Sequence, residues 1–443
     1  MSEKLKSRRE FIKTGALATG GLVGLPLISN VPGLKEPKTS NAVQKLSEFK
    51  KPLAIAMWDY TWLLRHHKYG SFEDWDKVLD ELVERGYNAI RIDCMSQFVA
   101  AGNEGKLQEE FFHKREVWKP AYWGNQFSMY SRPRESLLEF MKKCEEKGVR
   151  VGLATWFMGH GTERNLEFTG IDGFVRAWDE TLEFLKQNDL LGNVIYVDLL
   201  NEYPLWHGFE WFKKEMNMRG DENLFRENNP DANVPDEVFQ KRKGKGYTVL
   251  QQEFYQGFID AVISALKKKW PQLTFFTSQT GGGGGGALWK QLDFKNFGAV
   301  DTHFWFTQNS EFASKTAVAG LNMFRTKKDS GFKEGYENVL KYWRKNEQKL
   351  ADWMEEKIKY VGDLGKKHNI PVGNTEGWGA VFWQDHPLLG WEFIKEAGDV
   401  AVDISLKHGY KFICTSNFTH PQFDGMWRDV AWHRQITERI KKG

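Results

Sequence analysis

The sequence predicts an α/β fold, a closed (β/α)8 barrel (a TIM barrel) with long insertions after its second and fourth strands. Three observations carry this. Short apolar runs alternate with amphipathic helical patterns from Leu53 to the C-terminus. The strand runs are nearly continuous in apolar residues, as parallel strands covered on both faces must be. No repeat and no linker divides residues 41–443, so the 443-residue chain reads as a short leader over 1–40 and one elaborated barrel domain.

The elements follow in order. L-A-I-A-M-W from Leu53 is the first strand. A helix over 72–85 places Val78, Leu79, Leu82 and Val83 on one face, and Gly86 ends it. N-A-I-R-I-D is the second strand. A helix over 134–147 stops at Gly148 and leads into V-R-V-G-L-A-T-W-F, the third. Residues 173–188 are helical, and N-V-I-Y-V-D-L-L-N-E is the fourth strand. A helix over 249–268 precedes L-T-F-F-T-S-Q, and A-V-D-T-H-F-W-F is the sixth strand. Helices over 339–367, 390–407 and 427–441 flank I-P-V-G-N-T-E-G-W and Y-K-F-I-C-T-S-N-F, the seventh and eighth strands. The insertions, 98–133 and 203–246, both leave strand C-termini and so rise over the face where such barrels carry their chemistry.

Composition excludes several classes. The first forty residues hold seven Lys/Arg and three Asp/Glu, so the net charge of +3 leaves the remainder at about −1. A near-neutral body gives no electrostatic case for nucleic acid. Cys94, Cys144 and Cys414 are too far apart for a metal set and too few for a disulfide framework. The adjacent His66 and His67 have no carboxylate at ligand spacing, so no metal is expected. No G-x-G-x-x-G follows a strand, and no haem or cluster motif occurs, so no cofactor is expected. The glycine run 281–286 lacks the Lys-Ser/Thr of a phosphate loop.

Residues 7–13, S-R-R-E-F-I-K, precede a weakly apolar Gly/Ala-rich run to Ile28. This resembles a twin-arginine export signal. It implies a periplasmic or secreted protein with no stable membrane partner beyond the export machinery, the run being short for a span. The oligomeric state is left open.

Two strand ends are polar and acidic, Asn201-Glu202-Tyr203-Pro204 and Asn374-Thr375-Glu376-Gly377-Trp378. Strands four and seven face each other across a barrel mouth. Two facing carboxyl groups are what glycosidic hydrolysis needs, one to protonate the leaving oxygen and one to attack the anomeric carbon or activate water. Tryptophan, at 19 residues, is abundant, and flat rings stack on sugar faces.

From residue 52 to 435 the chain resembles glycoside hydrolase clan A, particularly the cellulase-like enzymes of glycoside hydrolase family 5. Y-N-A-I-R-I-D is similar to that family's second strand, which implies Arg91 as support for the nucleophile. L-L-N-E-Y-P implies Glu202 as general acid/base and Asn201 as a sugar 2-hydroxyl ligand. V-G-N-T-E-G-W implies Glu376 as nucleophile, and V-D-T-H-F-W puts His303 at the cleft. The resemblance thus implies a retaining hydrolase of a β-linked oligo- or polysaccharide, with a sugar-binding barrel that has lost catalysis as the alternative. Trp305 stands where the family has a Tyr, Asn417 or Phe418 where it has a Trp, and Trp156 and His160 loosely represent its third-strand end. These changes keep the pair and alter the subsite. Trp58, Trp156, Trp305, Trp378 and Asn417 complete the expected substrate contacts. Asp59 and Asp93 are expected to bind sugar hydroxyls or brace Arg91.

Overall fold

A computed structural model of the chain describes residues 42–115, 127–204, 208–241, 246–281, 289–321 and 329–443. The leader with its paired arginines and the glycine run after Gly281 lie outside the described residues.

Eight strands, two of them split, form a parallel ring: β1 Leu53–Asp59, β2 Ala89–Asp93, β3 Arg150–Ala154, β4 Val194–Asp198, β5 Phe275–Phe276 with Gln279–Thr280, β6 Val300–Trp305, β7 Val372–Asn374 with Gly377–Trp378, and β8 Phe412–Cys414. Each pairs with its neighbour in chain order, and β8 returns to β1 through Leu53↔Phe412. The first half of β5 pairs β4 at Val197↔Phe275, and its second half pairs β6 at Gln279↔Thr302. The ring therefore closes across Thr277 and Ser278. Inside, Tyr196, Phe276 and Phe412 pack ring against ring with centroids 5.2–6.0 Å apart. Gly152 on β3 leaves the space for this layer, since a Cβ there would stand 2.1 Å from the Tyr196 ring. Filling of this kind makes the barrel a core rather than a pore.

The outer helices are α1 Trp75–Glu84, α2 Pro133–Glu146, α3 Gly170–Gln187, α4 Val249–Lys269, α5 Asp329–His368, α6 Glu392–Lys407 and α7 Val430–Lys442. They begin and end within a few residues of expectation except α5, which starts earlier and is broken by non-helical dihedrals at Asn346. On α1 the buried face is Trp75, Val78, Leu79 and Leu82, and Val83 is exposed instead. Gly86 and Gly148 take φ of 83° and 69°, the left-handed values that end a helix sharply. Between β5 and β6 the described residues hold a one-turn 3-10 helix, Trp289–Gln291.

The insertion after β2 contains a hairpin, Phe111–His113 with Met129–Ser131, and that after β4 contains two short helices, Glu210–Gly220 and Glu222–Asn228. Among the described residues no helix is long and apolar enough to cross a membrane.

Candidate active site

The C-terminal strand ends bring Asp59, Asp93, Asp198, Glu202, Asp301 and Glu376 into one buried mouth with Arg91 and His303. Charges removed from water this far must be paired or neutralised. The pairing is built around Arg91, whose β2 position points it into the barrel.

Arg91 Nη1 lies 2.9 Å from Glu376 Oε1 and 2.9 Å from Asp59 Oδ1. Its Nη2 reaches Asp198 Oδ2 at 3.4 Å and donates to Asn201 Oδ1. Burial works against the guanidinium charge, but Asp59, Glu376 and Asp198 outweigh it and hold the group well above its ordinary range. Burial lifts Asp59 to about 7 despite Arg91, with Glu376 and Asp93 adding to the rise. Asp198 is likewise lifted by burial to about 7. Asp59 therefore braces Arg91, one of its two expected roles. Asp93 instead accepts the amides of Met95 at 2.8 Å and Trp156 at 3.0 Å.

Glu202 stands at φ 46° at the end of β4, a conformation that a non-glycine residue takes only when its surroundings hold it there. Its amide donates to Ser278 Oγ at 3.0 Å, and the Ser278 amide donates to Asp198 Oδ1 at 2.7 Å. The gap in β5 thus supplies both groups that anchor the end of β4. Asn201 gives its oxygen to Arg91 and, among the described residues, its Nδ2 has no partner.

His303 bridges the two glutamates. Its Nδ1 is 3.2 Å from Glu202 Oε1 and 3.7 Å from Glu376 Oε1. Ligand atoms of Glu202, His303 and Glu376 all lie within 4.8 Å of one another. A guanidinium already occupies the positive position beside Glu376, and both imidazole nitrogens have hydrogen-bond partners. The trio fits a catalytic pair better than a cation site.

The aromatic expectations divide. Trp156 Nε1 donates to Asp59 Oδ2 at 2.9 Å, so its ring steadies the Arg91 network, and it meets Tyr60 edge to face. Trp305 and Trp378 pair in register at the ends of β6 and β7. Both are buried, and Trp378 Nε1 donates to the Cys414 carbonyl on β8 at 2.8 Å. Asn417 accepts the Gly377 amide at 3.0 Å and its own amide donates to the Gly377 carbonyl at 2.8 Å, which fixes the chain next to Glu376. Its Nδ2 is buried without a partner among the described residues.

Trp58 is a correction. A bulge between Met57 and Asp59 turns Trp58 outward, where it packs on Phe72 and on Phe140 of α2 and donates Nε1 to the Thr419 carbonyl. It is a core residue packed against the helix layer. Trp58→Ala is expected to cost about 3–5 kcal/mol in chemical denaturation, with KM unchanged.

Sequence reasoning missed Asp198, Ser278, Asp301 and Thr375. Two of them carried a signal, a carboxylate inside an otherwise apolar strand run, four residues before Glu202 and two before His303. Ser278 and Thr375 carried none.

A parallel eight-stranded barrel with glutamates at the ends of β4 and β7 defines the class as the glycoside hydrolase clan A fold. Within that class the chain belongs to the Cellulase-like family, described as sugar-binding cellulase-like, whose profile matches residues 55–441. Among solved structures it is similar to a protein of Parabacteroides distasonis ATCC 8503 proposed to be a glycoside hydrolase, with 27% identity, a TM-score of 0.69, and coverage of 88% of this chain and 94% of that one. An endocellulase of Pyrococcus horikoshii in complex with cellotetraose aligns at 12% identity and a TM-score of 0.44, over 87% of this chain and 92% of that one. An endo-1,4-β-mannanase of Rhizomucor miehei aligns at 10% and 0.44, over 89% and 97%. No curated protein matches by sequence.

Proposed function

We propose that the chain is a retaining glycoside hydrolase acting on a β-linked oligo- or polysaccharide outside the cytoplasm. The observation that carries this is the carboxylate pair, one oxygen of each glutamate within 4.8 Å of the other, with Arg91 2.9 Å from Glu376. Inverting enzymes hold their carboxyls about 6.5–9.5 Å apart to admit a water, and retaining ones about 5–5.5 Å apart. An oxygen-to-oxygen approach this short supports the retaining reading.

In this reading Glu202 gives its proton to the glycosidic oxygen while Glu376 attacks the anomeric carbon, and the leaving sugar departs with the proton. A glycosyl ester to Glu376 results. Glu202, now a carboxylate, takes a proton from water, the water oxygen attacks the anomeric carbon, and Glu376 leaves as a carboxylate beside Arg91. Two inversions give net retention. The free Nδ2 of Asn201 is placed to donate to a sugar hydroxyl. The paired arginines at Arg8 and Arg9 support export by the twin-arginine route.

The test is a hydrolysis screen across plant, algal and host glycans with Glu202→Gln as control. The variant is expected to lose on the order of 10²- to 10⁴-fold in kcat on unactivated substrates, the usual weight of general acid catalysis. Substrates with acidic leaving groups need less protonation and should lose less. Binding without hydrolysis across the panel would make the protein a sugar-binding barrel instead.

A further inference from the structure

We infer that Asp301, acting through Thr375, is a positioning residue that keeps His303 a proton-bearing donor to Glu202. The inference rests on the acid/base role proposed for Glu202, and it concerns residues behind the pair.

Asp301, His303 and Thr375 are all fully buried. Asp301 lies two residues before His303 on β6, so both side chains share the inner face of the strand. Thr375 precedes Glu376 on β7. The Thr375 amide donates to Asp301 Oδ1 at 3.0 Å, and its hydroxyl donates to Asp301 Oδ2 at 2.5 Å. A hydroxyl has one proton. With that proton committed to Asp301, Thr375 Oγ1 can only accept from His303 Nε2, 3.2 Å away. Nε2 therefore carries a proton. Asp301 Oδ2 also stands 3.7 Å from the same nitrogen.

The other nitrogen, Nδ1, faces Glu202 at 3.2 Å and Glu376 at 3.7 Å. A second proton on the ring serves both glutamates. It stabilises Glu202 as the base of the second step, and it stabilises Glu376 as the departing carboxylate. With Nδ1–H held on Glu202 Oε1, the other carboxyl oxygen is left to carry the catalytic proton toward the sugar. Burial opposes the imidazolium, but Glu376, Asp301 and Glu202 outweigh it and hold His303 well above its ordinary range. The ionisable neighbours of Asp301 are Asp198, Tyr196, Tyr410 and Cys414. Burial pushes the two phenols and the thiol upward, so they stay neutral, while Asp198, lifted to about 7, is in part ionised at neutral pH.

Asp301→Asn tests this, because an amide can reverse the chain. Its Nδ2–H donates to Thr375 Oγ1, the hydroxyl proton turns to His303 Nε2, and that nitrogen must become an acceptor. The ring then holds one proton and no charge. The expected result is a fall in kcat on the order of 100-fold with KM within about twofold. The alkaline limb of kcat/KM is expected to move up by about one pH unit, since Glu202 loses the cation that favoured its ionised form. Thr375→Val is expected to act in the same direction and Thr375→Ser to remain near wild type. Nitrogen-15 spectra of histidine-labelled full-length protein, with His303 assigned by His303→Gln, should show two protonated ring nitrogens at neutral pH in wild type and one in Asp301→Asn. A neutral His303 ring in wild type, or a Thr375→Val profile equal to wild type, overturns the inference. Should no glycan be hydrolysed, the ring spectra still decide it. If Asp301→Asn does not fold, Thr375→Val stands in for it.

Discussion

Glu376→Ala is expected to lower turnover by on the order of 10⁵- to 10⁶-fold, the loss seen when a covalent nucleophile is removed. The variant keeps the proton donor and the sugar contacts, so substrate binding should persist. It also opens space beside Arg91 for a small anion. Added azide should occupy that space, attack the anomeric carbon and give a glycosyl azide of inverted configuration. The product is checked by proton NMR of the anomeric signal. A retained azide would reassign the nucleophile to Glu202, and full activity in the variant would end the double-displacement reading. The same residue change should leave the melting temperature level or raised, because Glu376 shares one guanidinium nitrogen with Asp59 in a mouth rich in carboxylates.

Arg91→Met is the second large expectation, and its effect is on stability as well as activity. Arg91 is the guanidinium within reach of Asp59, Asp198 and Glu376, all of them buried. Removing one partner from a buried ionic set typically costs about 3–5 kcal/mol because the others keep their desolvation cost. Urea denaturation should register that loss, and kcat should fall with it as Glu376 loses its counter-ion. Arg91→Lys is expected to rescue little, since one ammonium cannot meet Glu376, Asp59 and Asn201 with a planar fork. The pH dependence has a definite sign. Asp59 and Asp198 sit at about 7 in the folded protein, against about 3.9 unfolded. Between those values the folded state binds more protons, so their contribution to stability is present below about pH 4 and is lost as pH rises through 7. Without Arg91 the decline should steepen and run to higher pH.

The repeating strand and helix pattern was readable because a barrel strand and its covering helix have different apolar periods. The reading failed where periodicity carries no information. β5 is split, and Ser278 in its gap anchors Glu202 and Asp198 instead of the sheet, which no propensity reveals. Trp58 was misplaced because a one-residue bulge in β1 decides which side faces inward. The two facing glutamates and Arg91 were legible from strand-end position and from resemblance. Ser278 and Thr375 were not, because they act through hydrogen bonds to residues distant in sequence, and Asp198 and Asp301 showed only as carboxylates inside apolar runs. His303 drew attention as a site residue, while the residues that set its proton inventory did not.

The burial of the tryptophans has an optical consequence. Among the described residues thirteen tryptophans are buried, and Trp211 and Trp353 are half-buried. Emission from the folded protein should therefore lie toward the blue, with most fluorophores shielded from iodide. A saccharide entering the mouth would alter only a few of many emitters. Intrinsic fluorescence will follow unfolding sensitively and ligand titration poorly, so affinity is better measured by calorimetry.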